Sequence, residues 1–380
     1  MSHGDHDAQW LPVLDVGPYL AHQPGALEAL AAELRVACEG VGFYFLENTE
    51  ALLPEAVVRG MLEASHAVHA APQALKESLY LDRADSGYMP IGSNTRWGSD
   101  GQPTLPVYEG VNEGYLLWGY GPPWVPEEHQ LATLEDNQLP PDGVLPGFSD
   151  AITAYTHAID ALARALLPVY ALALEQPRDF FDEKFTEPCW CLRLNHYPPN
   201  EEKVELGIPP HADGDFCTFL LQDDLPGLSV LRSDSGHEGE WVQAPTRGDF
   251  SLLVNSGEKL QVYSNGLFPS TMHTASSIEP SRGRFSAPFF WSPNNDAICE
   301  PLGAFVTEER PSQYESSVSG FVYSAGRKGN VSTYGGTEDE RADSFVLPQR
   351  EPGDREDARA NDFTLPTRRI AADTDAKSKL

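Results

Sequence analysis

Pro210-His211-Ala212-Asp213-Gly214-Asp215 opens the most informative region of the chain, which runs on to Pro293. On an extended backbone, residues two apart point to the same side, so His211 and Asp213 can face one ion. His273 follows 60 residues after Asp213, enough chain for several antiparallel strands to wind round and return. Two imidazoles and one carboxylate leave three positions open on an octahedral ion. That suits ferrous iron, which must take up oxygen and a substrate group together, whereas four closed ligands would indicate structural zinc. Asp215 could supply the carboxylate instead, but it lies roughly 6.6 Å further along an extended segment. Asp213 is the better fit.

Arg284-Phe285-Ser286 comes eleven residues after His273. Arg284 and Ser286 again share a face. A guanidinium forms a two-pronged pair with a carboxylate, and a hydroxyl can satisfy a remaining oxygen. Most strand arginines are solvated edge residues, but Arg284 begins an otherwise apolar run, Phe285 to Trp291. Upstream, Asn195-His196-Tyr197-Pro198-Pro199 places Asn195 and Tyr197 on one side and His196 on the other, so His196 reads as structural. His66, His69, His157 and His237 have no partner at ligand spacing and read as structural or solvated. No Gly-rich phosphate loop and no Gly-x-Ser-x-Gly nucleophile elbow occurs in the sequence.

From Cys189 the hydropathy alternates with period two, Trp190, Leu192 and Leu194 against Cys191, Arg193 and Asn195. Short apolar runs follow at Phe216–Leu221, Leu228–Leu231, Trp241–Gln243, Phe250–Val254, Leu260–Tyr263 and Phe285–Trp291. Leu225-Pro226-Gly227 and Ser264-Asn265-Gly266 supply turns. Many short strands with such turns predict an all-β sandwich or barrel.

Outside this region helices are expected. Leu11–Val16 is extended, and Leu27, Leu30, Ala31, Leu34 and Cys38 recur at helical spacing up to Gly40. Phe43–Leu46 is a short strand. A helical region covers about Pro54 to Lys76, interrupted by Pro72, and Gly87-Tyr88-Met89-Pro90 is a turn. Asn94 to Pro146 is rich in Gly, Pro and aromatics, and could line a pocket or pack on the surface. Ile152, Tyr155, Ile159, Leu162 and Leu166 mark a long amphipathic helix packed across a sheet. Ala165–Leu174, the longest apolar run, is too short to span a membrane and reads as a buried helix end. Pro311 to Lys328 reads as a helix packing back on the core. From Gly336 to Leu380 there are eleven acidic and eight basic residues and few apolar ones, the composition of a disordered tail.

The charge balance, 26 Lys+Arg against 57 Asp+Glu, gives a net charge of −31. Such a surface repels phosphate backbones, which argues against nucleic-acid partners. Five cysteines, an odd number with Cys189 and Cys191 too close for a zinc ribbon, fit a reducing compartment. Met1 to Trp10 has no apolar signal core. Ser378-Lys379-Leu380 matches the peroxisomal import address. In a eukaryote this predicts a peroxisomal location and an import receptor as partner; otherwise the expectation is cytoplasmic.

These motifs in this order resemble the isopenicillin N synthase-like branch of the iron(II)- and 2-oxoglutarate-dependent oxygenases. The resemblance rests on Asn195 to Pro199, His211-Ala212-Asp213, Gly257 to Gly266, His273 and Arg284-Phe285-Ser286. It is supported by Leu11 to Asp15, Gly42-Phe43-Tyr44 and Gly87-Tyr88, and it covers roughly residues 10 to 330. It implies a mainly β fold, the double-stranded β-helix or distorted jelly roll, framed by N-terminal and C-terminal helices. The parts would be an N-terminal mixed region (1–105), the aromatic segment and framing helix (106–185), the oxygenase core (186–300), a C-terminal helical region (301–335) and the tail (336–380).

The same resemblance implies that His211, Asp213 and His273 hold Fe(II). Arg284 and Ser286 would hold the distal carboxylate of 2-oxoglutarate, with Asn195 and Tyr197 on the co-substrate side and Phe290 near the substrate. The reaction implied is oxidation of a C–H bond of a small molecule by O2, with release of succinate and carbon dioxide, in the setting of secondary metabolism. Hydroxylation, desaturation and cyclisation are all open. Asn48-Thr49-Glu50 departs from the Asn-His-Gly of many relatives, at a position remote from the metal. Two alternatives stand beside this reading. One is an oxidase of the isopenicillin N synthase or aminocyclopropane-carboxylate oxidase kind, which needs no 2-oxoglutarate. The other is a non-catalytic jelly-roll binding protein.

Overall fold

The computed structural model describes residues 10–81, 86–91, 112–119, 134–199, 206–232, 239–248, 252–276 and 281–319. The 336–380 tail, its Ser378-Lys379-Leu380 and most of the aromatic Asn94–Pro146 segment lie outside the described residues.

In chain order, β1 (Val13–Asp15) leads to α1 (Gly17–Leu20), α2 (Ala26–Glu39) and β2 (Phe43–Glu47). Then come α3 (Glu55–His69), α4 (Gln73–Ser78), β3 (Gly87–Met89), β4 (Glu113–Trp118) and the long α5 (Phe148–Ala173). The core follows as β5 (Cys189–Tyr197), β6 (Leu206–His211), β7 (Cys217–Gln222), β8 (Leu228–Arg232), β9 (Glu240–Gln243) and β10 (Leu252–Ser256). It continues with α6 (Glu258–Tyr263), β11 (His273–Ser276) and β12 (Arg284–Ser292), and closes with β13 (Ile298–Cys299) and β14 (Ser317–Val318).

The major sheet has eight strands in the order β1-β2-β10-β7-β12-β5-β4-β3, and the minor sheet four in the order β6-β11-β8-β9. The period-two pattern explains how both faces are filled. Along β2, Tyr44 and Leu46 face the helices with Leu192, Phe219, Leu221, Val254 and Trp291. Phe43 and Phe45 face the minor sheet with Leu220, Val230, Leu253 and Ala275. The predicted stripe on α5 is the buried one: Ile152, Tyr155, Ile159 and Leu162 are fully buried. Each such burial stabilises the fold by roughly 2 kcal/mol. The helix runs on through Pro168, because Leu166, Leu167, Val169 and Tyr170 keep it buried where the proline removes one backbone donor. No helix among the described residues is long and apolar enough to cross a membrane. All five cysteines are buried and none is in a disulfide.

Two expectations differ from the structure. Leu260–Tyr263, read as a strand from its alternation, is the helix α6. The described part of the expected Pro311–Lys328 helix instead carries β14, paired antiparallel with β13. Ser317 and Val318 are half-buried there and the segment has no continuous apolar stripe to bury.

Candidate metal centre and co-substrate pocket

The strand pairing assembles the first constellation. β6 and β11 pair with His211 opposite His273, and Asp213 follows β6 in the connecting loop. His211, Asp213 and His273 each bring a ligand atom within 4.8 Å of the others. Both imidazole Nε2 atoms lie 3.6 Å from Asp213 Oδ1.

His273 and Asp213 are held from behind. His273 Nδ1 lies 3.0 Å from the Thr271 carbonyl, so with its proton there Nε2 presents its lone pair. Asp213 Oδ2 accepts hydrogen bonds from Thr218 Oγ1 (2.6 Å) and Asn255 Nδ2 (2.8 Å), which leaves Oδ1 towards the histidines. Burial alone would raise the Asp213 carboxyl. The facing His273 and His211, together with those two hydrogen bonds, outweigh it and hold the carboxyl below its ordinary range. Asp215 is engaged elsewhere, accepting from Ser292 Oγ at 2.7 Å.

The helix that the alternation missed clamps this loop. At the start of α6 the Glu258 N–H donates to Asp213 O (2.8 Å) and the Lys259 N–H to Asp215 O (3.2 Å). Lys259 Nζ adds a bond to Gly214 O at 2.9 Å. Gly257 permits the approach, since a Cβ there would lie 2.0 Å from Asp215 O. Free N–H groups of a first helical turn thus find their acceptors in the metal loop.

The second constellation lies along β5, β12 and β7. Ser286 stands opposite Asn195 on one side and Gln222 on the other, and Arg284 stands opposite Tyr197. Arg284 is 1% exposed, so its charge has been removed from water and needs partners. Its Nη2 donates to Gln222 Oε1 (3.1 Å) and its Nε to Leu225 O (3.2 Å), while the guanidinium sits 5.0 Å above the Tyr197 ring. Arg284 Nη1, Gln222 Nε2 and Asn195 Nδ2 are buried without a hydrogen-bond partner. Three buried donors left open around one cation are what a carboxylate guest would satisfy, and they fit the distal carboxylate of 2-oxoglutarate.

Leu225-Pro226-Gly227 is therefore more than a turn. A Cβ on Gly227 would lie 2.3 Å from Ser276 O and 2.7 Å from Arg284 Cδ. Gly227→Ala is expected to push the guanidinium aside and weaken 2-oxoglutarate binding about tenfold. Calorimetric titration of 2-oxoglutarate into the variant checks this, and an unchanged affinity would show that the close approach of Gly227 to Arg284 is dispensable.

Phe290, half-buried, lies opposite Cys191 and Thr218. It packs with Trp118, Cys189 and Cys191 in a small apolar cluster on the inner face. His196 points to the other side of the sheet. Sequence reasoning missed Thr218, Asn255 and Gln222. Their signal was present, as polar residues at inward positions of strands that are otherwise apolar.

Comparisons with known proteins give the family of this chain. The 2OG-Fe(II) oxygenase superfamily model matches residues 188–293, and the non-haem dioxygenase N-terminal model, described for morphine synthesis, matches residues 11–117. A homoarginine-6-hydroxylase of Glycine max is 30% identical over 79% of this chain and 91% of its own length. The 2-oxoglutarate-Fe(II) type oxidoreductase ppzC of Metarhizium majus is 28% identical over 80% of this chain and 83% of its own. A crystal structure of a 2OG-Fe(II) oxygenase family protein from Caulobacter crescentus superposes with a TM-score of 0.67 at 26% identity, covering 82% of this chain and 97% of that one. The chain belongs to the 2OG-Fe(II) oxygenase superfamily. Within it, the chain is a 2-oxoglutarate-dependent dioxygenase with Fe(II) as its metal cofactor and 2-oxoglutarate and O2 as co-substrates.

Proposed function

We propose that this dioxygenase oxidises a C–H bond of a small molecule in secondary metabolism, with each residue in a defined role. His211, Asp213 and His273 hold the iron. Arg284 and Ser286 hold the distal carboxylate of 2-oxoglutarate, and Asn195 and Tyr197 border it. The observation that carries the reading is the convergence of the three ligand atoms within 4.8 Å. Fe(II) held there would activate O2, which is the oxidant, and 2-oxoglutarate, leaving as succinate and carbon dioxide, would supply two of the four electrons that O2 takes up, the substrate C–H bond supplying the other two.

The protein's own part is positioning. Thr218 and Asn255 keep Asp213 Oδ2 occupied, so Oδ1 would be the oxygen offered to the metal. Gln222 and Leu225 O hold two nitrogens of Arg284, which aims the third, Nη1, at the co-substrate. Phe290, Cys191 and Trp118 form an apolar wall that would meet the substrate and keep water from the reacting C–H. Secondary metabolism is supported by relatives such as the clavatol oxidase of Penicillium crustosum, 29% identical over 79% of this chain.

The test is turnover. The reconstituted protein, supplied with candidate small molecules, should release succinate in proportion to 2-oxoglutarate consumed. Oxidation of a substrate without 2-oxoglutarate would favour the oxidase alternative, and no substrate-stimulated turnover across a broad panel would favour a binding role. Location is a separate proposal: Ser378-Lys379-Leu380 supports peroxisomal import in a eukaryotic host. A fluorescent fusion that stays diffuse in cells would refute it.

A further inference from the structure

Behind the Arg284 pocket, on the other face of β5 and β12, lies a second cluster of titratable groups. His69, Glu113 and His196 each offer a ligand atom within 4.8 Å of the others. The charge already in place argues against a metal there. Lys76 Nζ sits 2.8 Å from Glu113 Oε2, so the one negative charge is neutralised by a buried ammonium. A divalent ion beside it would meet strong repulsion at low dielectric.

What the cluster does is tie elements together. Glu113 is 5% exposed and Lys76 9% exposed, so neither is a surface ion pair. Three N-terminal elements converge on the carboxylate of Glu113, which lies on β4: Lys76 from α4, Tyr88 from β3 and His69 from α3. Burial alone would raise this carboxyl. Hydrogen bonds from His196, Lys76 and Tyr88 outweigh it and hold the carboxyl down to about 2.

The oxygenase core answers with His196, whose Nδ1 lies 2.8 Å from Glu113 Oε1. His196 stands between Asn195 and Tyr197 in the chain. Its cross-strand partner is Phe285, which stands between Arg284 and Ser286. The two rings are stacked, with centroids 4.4 Å apart and planes 15° apart, and His66 of α3 covers Phe285 at 4.0 Å. Strand alternation does the rest. The front side chains of this step are the four co-substrate residues, and the rear side chains are gripped by the N-terminal elements.

We propose that Glu113 is a positioning residue for the 2-oxoglutarate pocket: its bond to His196 fixes the β5 step carrying Asn195 and Tyr197, and the His196–Phe285 stack fixes the β12 step carrying Arg284 and Ser286. The inference rests on the co-substrate roles proposed above. It separates from a plain fold staple, because the groups that brace Asp213 are Thr218, Asn255 and the start of α6, none of which belongs to the hub. Losing the hub should therefore loosen 2-oxoglutarate and spare iron.

The experiment uses the full chain, kept anaerobic. Fe(II) is titrated first, and then 2-oxoglutarate is followed by calorimetry and by the visible charge-transfer band of the ternary complex. Two double variants remove the buried ion pair without leaving a lone charge. Lys76→Met with Glu113→Gln keeps an oxygen facing His196, and Lys76→Met with Glu113→Leu does not. The Gln pair is expected to bind 2-oxoglutarate within about twofold of wild type, and the Leu pair about tenfold more weakly. Iron affinity should be the same in both. His196→Phe keeps the stack on Phe285 and loses the hydrogen bond, so it repeats the comparison should the Leu pair fail to fold; it too is expected to lose about tenfold. Equal 2-oxoglutarate affinity in the variants with and without the bond would overturn the inference, as would iron and 2-oxoglutarate weakening by the same factor. A wild-type protein that binds no 2-oxoglutarate would overturn the pocket assignment itself, and the inference with it.

Discussion

His211→Ala is expected to abolish iron binding and, with it, all 2-oxoglutarate turnover, while the protein stays folded. Removing His211 leaves one imidazole and one carboxylate, too few donors to hold a hard-to-retain divalent ion at ordinary concentrations. The loss should exceed the roughly 10–100-fold that removal of an outer hydrogen-bond partner costs at metal sites. The fold should survive because His211 sits at the end of β6 with its side chain 18% exposed, so the truncation opens a small gap at the site rather than a core cavity. Anaerobic Fe(II) titration read by metal content, with a thermal melt beside it, gives the answer. Iron uptake equal to wild type would remove His211 from the proposed triad.

Arg284→Ala should weaken 2-oxoglutarate binding about a hundredfold, the loss of a two-pronged charged contact in a buried site. The buried setting is what makes the effect large. A carboxylate brought into this pocket without the guanidinium would carry an uncompensated charge among Gln222, Tyr197 and Leu225, all within reach of the native side chain. Arg284→Lys should recover only part of the affinity, because an ammonium cannot hold Gln222, the Leu225 carbonyl and a carboxylate in one planar fork. Comparing 2-oxoglutarate dissociation constants of the three proteins with Fe(II) bound tests both statements. If Arg284→Ala binds 2-oxoglutarate as tightly as wild type, the co-substrate carboxylate lies elsewhere.

The helix α6 shows where local reading fails. Leu260 and Val262 alternate with Gln261 as a strand would, and Tyr263 extends the run. They form a helix because the N–H groups of Glu258 and Lys259 find acceptors on Asp213 and Asp215, residues more than forty positions earlier. A window of a few residues contains no sign of those acceptors. The same holds for Glu113. Nothing in Asn112-Glu113-Gly114 marks it as a hub, since Lys76, Tyr88 and His196 reach it from three other elements.

The sequence by itself determined the parts whose chemistry is carried by spacing. The i, i+2 rule put His211 with Asp213 and Arg284 with Ser286, and the period-two run from Cys189 marked the strand that carries Asn195 and Tyr197. Pro210 to Asp215, together with His273, thus marked a candidate metal site, because residue type and spacing are local facts. The tertiary structure decided what supports those parts: which oxygen of Asp213 stays available, why Gly227 must lack a side chain, and how α3, α4, β3 and β4 brace the rear of the co-substrate pocket. Those are contacts between residues far apart in sequence, fixed by how the sheets and helices pack.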